Sequence, residues 1–122
     1  MIYTSYFENM EKINAIFPHI VPISIVISPP RKYNGLEYRK LSPLYYSLRS
    51  YKATHDINRY FSDYEADVLN HLNYEKVIRD LYKISKNENI VLLGYGKFER
   101  CHRKLVAEWF TKNGYPVDEI QI

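Results

Sequence analysis

A single cysteine stands in the 122 residues, so no intrachain disulfide can form and the fold must rest on its own core. Long apolar runs are missing as well. The best stretch, Ile20 to Ile27, is broken by Pro22 and Ser24 and falls short of the ~20 residues that cross a bilayer, which excludes a membrane-spanning helix. Met1 to Phe7 lack a basic start and an extended apolar segment, so no signal peptide is expected. A soluble protein of the reducing cytoplasm follows. There are no internal repeats and no low-complexity segments, and the length supports one domain over residues 1–122 that buries ~65% of its unfolded surface.

Charge of one sign is also in short supply overall, since a net +3 is too small for bulk nucleic-acid binding. Its distribution is uneven. Between Arg31 and Tyr60 seven cations face two anions, so this segment carries +5 and the remainder −2. Thirteen tyrosines occur in the chain, and Tyr33, Tyr38, Tyr45, Tyr46, Tyr51, Tyr60 and Tyr64 interleave with those cations. Such a mixture can stack on bases while pairing with phosphates. The plainer alternative is that tyrosines fill a small core with their hydroxyls at the surface while the cations stay solvated.

The pattern along the chain is that of an α/β protein. Ile2 to Tyr6 reads as a first strand, Asn9 to Phe17 as a helix with Asn9 as N-cap, and the β-branched run Val21 to Ile27 as a second strand. Residues 31–43 lack periodicity and hold Gly35 and Pro43, which predicts an irregular loop able to act as a lid. Leu44 to Tyr51 has helical character. Thr54-His55-Asp56 supplies caps for a helix from Ile57 to about Leu72, and Asn73 for another from Tyr74 to Ser85. Ile90 to Leu93 is a continuous apolar run, as in a strand covered on both faces. A helix carrying Leu105, Val106, Trp109 and Phe110 follows and ends at Asn113-Gly114, and Val117 to Ile122 alternates enough for a last strand. The expectation is a Rossmann-like three-layer domain: a mostly parallel sheet of about four strands, helices on both faces, and a helical insertion.

Only four glycines are present, and Gly94 and Gly96 fall together between the central strand and the helix that opens on Cys101-His102-Arg103. Helix amides, a thiol, an imidazole and a guanidinium thereby gather at a strand end, where ligands sit in open α/β sheets. Several familiar motifs fail here. A dinucleotide fingerprint needs a third glycine where Glu99 stands, a P-loop needs a hydroxyl residue after Lys97 where Phe98 stands, and a phosphatase loop needs an arginine where Ala107 stands. No metal site is expected, because His19, His55 and His71 are scattered and the Cys-His pair lacks further ligands at a recognisable spacing.

Cys101, beside His102 and between Arg100 and Arg103 near a helix start, fits an activated nucleophile. The favoured reading is a small buried side chain packed where a helix leaves the sheet. His102 and Arg103 oppose the helix dipole in the first turn, a cost that a bound anion would reverse; a solvated or ion-paired arginine is the alternative.

Ile2-Tyr3-Thr4-Ser5-Tyr6-Phe7, Ser28-Pro29-Pro30, Leu41-Ser42-Pro43, Tyr51-Lys52, Leu92-Leu93-Gly94-Tyr95-Gly96-Lys97, Cys101-His102-Arg103 and Ala107-Glu108-Trp109 together resemble the domain of unknown function 488 (DUF488) family. The resemblance runs from residue 2 to about 110 and implies a single α/β domain with Rossmann-like layering. It implies no particular activity. Related sequences usually read Leu-Leu-Cys-Tyr-Glu-Lys at the strand end, so Gly94 and Gly96 replace a thiol and a carboxylate. Glycines at that point are expected to widen the site and let backbone amides approach a ligand.

The function expected from these features is non-catalytic binding of a nucleotide or another phosphorylated small molecule, with nucleic acid a further option and no membrane partner. Gly94, Tyr95, Gly96, Lys97, His102 and Arg103 would form the cradle, and Arg31, Lys32, Tyr33 and Tyr38 would close over it. Such a protein could sequester a nucleotide signal, as a viral antagonist of host signalling would. Two alternatives stand beside it: an enzyme that depends on cysteine or hydrolyses nucleotides, using Cys101 and His102, and a protein-interaction module with a basic, tyrosine-rich surface. No cofactor is expected. Exposed sheet edges and many tyrosines point to a homo-oligomer.

Overall fold

The strand Ile90–Gly94, here β4, is the axis of the fold: every one of its residues is buried. Its alternate side chains feed two cores. Ile90 and Leu92 join Ile2, Ile23 and residues of three helices on one face, while Val91 and Leu93 join Phe7, Ile13, Ile20 and Ile120 on the other. Burying each of these four strand side chains contributes about 1.5–3 kcal/mol, which makes the position of this strand the least negotiable in the molecule.

The computed structural model describes residues 1–122. The remaining elements are β1 (Ile2–Tyr6), α1 (Met10–Ile16), β2 (Val21–Ser24), β3 (Leu36–Glu37), α2 (Tyr45–Thr54), α3 (Ile57–Asp67), α4 (Tyr74–Ile84), α5 (His102–Lys112) and β5 (Val117–Glu119). The sheet has five strands in the order β3-β2-β4-β1-β5, and every pairing is parallel. Ile13 of α1 packs on one face, and side chains of α3, α4 and α5 pack on the other. This is a Rossmann-like three-layer α/β arrangement with α2, α3 and α4 inserted before the central strand. No helix is long and apolar enough to cross a membrane.

Local chemistry accounts for most element ends. Asp56 accepts a hydrogen bond from the Arg59 amide at 3.1 Å and Asn73 from the Lys76 amide at 3.1 Å, each satisfying an orphan donor of a helix start. Gly114 takes φ +87° just past α5, a left-handed stop. Asn9 differs from expectation: it makes no side-chain cap, and its amide donates instead to Ser5 Oγ at 3.2 Å.

Three further boundaries depart from the sequence pattern. The segment 31–43 is not wholly irregular, because Leu36–Glu37 pairs with Ile23 and Ser24 as a fifth, edge strand; two residues are too few to leave a period. β2 stops at Ser24 rather than Ile27, although the Ile25 amide still donates to the Leu93 carbonyl at 3.1 Å. α3 stops at Asp67, and a 3₁₀ turn over Leu69–His71 keeps Val68 and Leu69 in the core, so the apolar stripe outlasts the helix.

Candidate functional site

Cys101 ends the turn after β4 in an extended conformation and serves as the N-cap of α5, its sulfur accepting from the Arg103 amide at 3.5 Å. A sulfur in the place usually held by a serine or aspartate oxygen faces the positive end of the helix, which favours its anionic form. Gly94 is what lets it sit there. A Cβ at Gly94 would lie 2.5 Å from Cys101 Sγ, so the space freed by this glycine is filled by the thiol and does not enlarge a ligand site as expected.

His102 opens the helix and is buried. Its Nε2 lies 2.6 Å from the Ile25 carbonyl oxygen; a carbonyl only accepts, so Nε2 carries a proton and Nδ1 is left facing Sγ at 3.7 Å. Tyr64 packs edge-on against the ring at 5.2 Å and anchors its own hydroxyl on the Leu41 carbonyl at 2.6 Å. Burial alone raises the Cys101 pKa, but His102, through its charge and its hydrogen bond, and then the Arg103 guanidinium and amide outweigh it and bring the thiol from 9.0 to about 7.

Arg103 is placed differently from the expected ligand contact. Its side chain is 1% exposed and bonded to Glu119 of β5 through Nε at 3.1 Å and Nη2 at 2.9 Å. It also donates to the Tyr95 and Gly96 carbonyls at 3.3 and 3.0 Å. Glu119 in turn accepts from Thr4 Oγ1 at 2.7 Å. Burial works against the Arg103 charge, yet Glu119 and the Cys101 sulfur hold its pKa above the ordinary value. The guanidinium therefore ties the loop after β4 to the sheet and lends the sulfur a nearby positive charge, with four of its five donors engaged.

Beyond the carboxyl ends of β2 and β4 lies a cavity of about 520 Å³, the place where open parallel sheets bind ligands. Cys101 and His102 line it together with Val26, Ile27 and Ser28 after β2. Tyr45, Leu48, Tyr51 and Lys52 from α2 form a wall at helical spacing, joined by Tyr60 of α3, Tyr95, Arg100 and Pro43. Tyr51 and Tyr60 stack with ring centres 4.8 Å apart and planes 18° from parallel. Tyr95 reaches across the mouth to donate to the Ser28 carbonyl at 2.7 Å. Lys52 and Arg100 supply positive charge, and none of the lining residues is a carboxylate.

Of the cradle expected from sequence, Tyr95 and His102 line this cavity and Gly94 lies beneath the thiol. Gly96 has φ +70° and turns its carbonyl toward Arg103, so its role is to let the loop fold back; the backbone there presents an acceptor rather than an amide. Lys97 is exposed and outside the lining, as are Arg31 and Lys32. Tyr33 and Tyr38 are engaged elsewhere, their hydroxyls held by the Leu36 carbonyl at 2.6 Å and by Asp80 at 2.7 Å. The 31–43 segment thus borders the cavity only through Pro43, and α2 takes the place assigned to a lid. Tyr45, Tyr51, Lys52 and Tyr60 were legible as members of the tyrosine-cation cluster; nothing local marked them as one wall. No group of three or more His, Cys, Asp or Glu side chains is placed to hold a metal ion.

A family model described as "DUF488-N3a: Active DUF488-N3 subclade" matches residues 16–114, a span that takes in every residue of the cavity wall. No curated protein and no solved structure matches the chain.

Proposed function

The chain belongs to the DUF488 family, and we propose that it is a cysteine-dependent enzyme acting on a nucleotide or a similar aromatic, phosphorylated substrate, with Cys101 as nucleophile and His102 as proton carrier. The observation that carries this reading is a thiol that caps α5 with its sulfur 3.7 Å from His102 Nδ1, on the wall of a cavity rich in tyrosine and free of carboxylates. Against the effect of burial, His102 and Arg103 lower its pKa, which favours the nucleophilic thiolate. The matching subclade is described as active, which agrees with a reactive thiol.

The substrate class follows from the walls. Tyr45, Tyr51, Tyr60 and Tyr95 offer π-faces and edges to a planar base, while Lys52 and Arg100 offer charge to a phosphate. A base within a nucleic-acid strand meets the same requirements. In the reaction, the Cys101 proton moves to His102 Nδ1 and the thiolate adds to an unsaturated, electrophilic carbon of the substrate. A carbon–sulfur bond forms as the π electron pair moves onto the attached heteroatom; when that pair returns, the bond to the leaving group breaks and the leaving group departs with the proton from Nδ1. Water then attacks the same carbon, gives a proton back to Nδ1, and expels the thiolate. Throughout, Ile25 holds Nε2–H and keeps Nδ1 turned toward the sulfur.

Native mass spectrometry after incubation with a nucleotide-rich cell extract tests this. Wild-type protein and Cys101→Ser are both expected to carry a nucleotide-sized mass, and only the wild type is expected to convert it. If the wild type returns every bound nucleotide unchanged, and alkylating Cys101 alters nothing, the protein binds and sequesters its ligand without turnover.

A further inference from the structure

Tyr60 is the other polar group of the cavity whose setting calls for an explanation. Its ring is 4% exposed, stacked on Tyr51 and tilted against Phe61 at 6.0 Å, so the phenol is fixed in direction. The two other buried tyrosines spend their hydroxyls inside the protein, Tyr64 on Leu41 and Tyr38 on Asp80. The Tyr60 hydroxyl has no protein partner, yet it is not among the sealed, unsatisfied polar atoms, which are Asn9 Oδ1 and Ser47 Oγ. The atom therefore keeps some exposed surface, and Tyr60 lines the cavity that Cys101 and His102 also line. Because it is not sealed, the hydroxyl can be satisfied by solvent in the free protein and can exchange that partner for a substrate atom.

We propose that Tyr60 is a further catalytic residue: its hydroxyl donates a hydrogen bond to the substrate atom that gains negative charge when Cys101 attacks. The assignment rests on the cysteine-enzyme reading and deepens it by naming a donor fixed by packing, beside the exposed cations Lys52 and Arg100. Arg103 has four of its five donors bound to Glu119 and to backbone carbonyls, and Tyr95 has its hydroxyl on Ser28. Burial, with the Cys101 charge and Tyr51 adding to it, holds the Tyr60 phenol well above the ordinary tyrosine pKa, so it stays a donor across the working pH range. A donor fixed before reaction and aimed at developing charge needs no reorganisation in the transition state.

Two thiol probes separate this role from a structural one. With p-nitrophenyl acetate the thiolate adds to a carbonyl carbon, an oxyanion forms on the carbonyl oxygen, and p-nitrophenolate leaves. With iodoacetamide the thiolate displaces iodide at a saturated carbon and no oxyanion forms. Tyr60→Phe keeps the ring and its stacking and is expected to slow acylation roughly tenfold or more while leaving alkylation within about twofold of wild type. Tyr82→Phe, a hydroxyl removed outside the cavity, is expected to change neither rate. Equal acylation rates for Tyr60→Phe and wild type, or equal slowing with both probes, would overturn the assignment, the second by showing that Tyr60 acts on the thiol itself. Cys101→Ser is the internal reference: an acylation burst that survives it would remove the cysteine reading underneath, and loss of that burst with Tyr60→Phe unaffected would remove only the role of Tyr60.

Discussion

Gly94 and Cys101 share one space: a Cβ on the glycine would stand 2.5 Å from the cysteine sulfur. Real Cβ atoms do not come that close to a neighbour. Gly94→Ala is therefore expected to turn the sulfur away from the strand end and from His102 Nδ1. Iodoacetamide labelling at neutral pH should slow about tenfold, and denaturant unfolding should show a loss of about 1–3 kcal/mol from overpacking. Labelling at the wild-type rate would show that the thiol does not depend on this glycine.

The Cys101 thiol is lowered from 9.0 to about 7 in the folded protein. Between those values the unfolded chain binds more protons than the native one, so stability rises with pH from about 7 to about 9. The contribution is fully present above the unfolded pKa and is lost as pH falls through the folded pKa. Its size is on the order of 2–3 kcal/mol. Cys101→Ser should flatten this part of the stability profile, and the wild-type alkylation rate should have its midpoint near pH 7.

His102 supplies the largest lowering influence on that thiol. His102→Ala is expected to move the alkylation midpoint toward the ordinary thiol value of 9.0, and to cut the neutral-pH rate by at least roughly tenfold. An unmoved midpoint would assign the lowering to the helix end and Arg103 instead.

Arg103 and Glu119 form a buried pair with side chains 1% and 11% exposed. Removing one partner strands the other, so Glu119→Gln should destabilise the fold by about 3–5 kcal/mol, read as a shift of the urea midpoint. The paired replacement Arg103→Met with Glu119→Leu should recover much of that loss, because both desolvation penalties vanish together. It should not recover thiol reactivity, since the Arg103 charge is gone.

Lys52 and Arg100 line the cavity while both remain exposed. Reversing either to Glu is expected to weaken nucleotide binding roughly threefold to tenfold at low salt, with the difference shrinking as salt rises. Titration by isothermal calorimetry at two ionic strengths reads this directly. Reversal of Arg31 or Lys32, which lie outside the cavity lining, should leave that binding unchanged.

Much of the layer architecture was legible because periodicity is a local property. The run Ile90 to Leu93 announced a strand covered on both faces, and Asp56, Asn73 and Gly114 marked helix ends through chemistry that acts within a few residues. The edge strand Leu36–Glu37 was not legible, since its pairing with Ile23 and Ser24 is its only distinguishing feature. Arg103 read as a ligand contact, with a solvated or ion-paired arginine as the alternative, and the choice was not legible for the same reason: its partner Glu119 lies in β5, at no spacing that a helix or hairpin would signal.

The amino-acid sequence by itself determined the class of fold, the order of its elements apart from the edge strand β3, and the strand end where a lone thiol, an imidazole and two glycines would meet, because those depend on side-chain period and backbone freedom along the chain. Tertiary structure alone decided what each group faces. It filled the space at Gly94 with sulfur, turned Arg103 inward to Glu119, and set Tyr60 from a helical insertion in the same cavity as Cys101. Those outcomes depend on which atoms from distant segments compete for the same volume and the same charge, and that competition is settled only when the sheet and its helices close on one another.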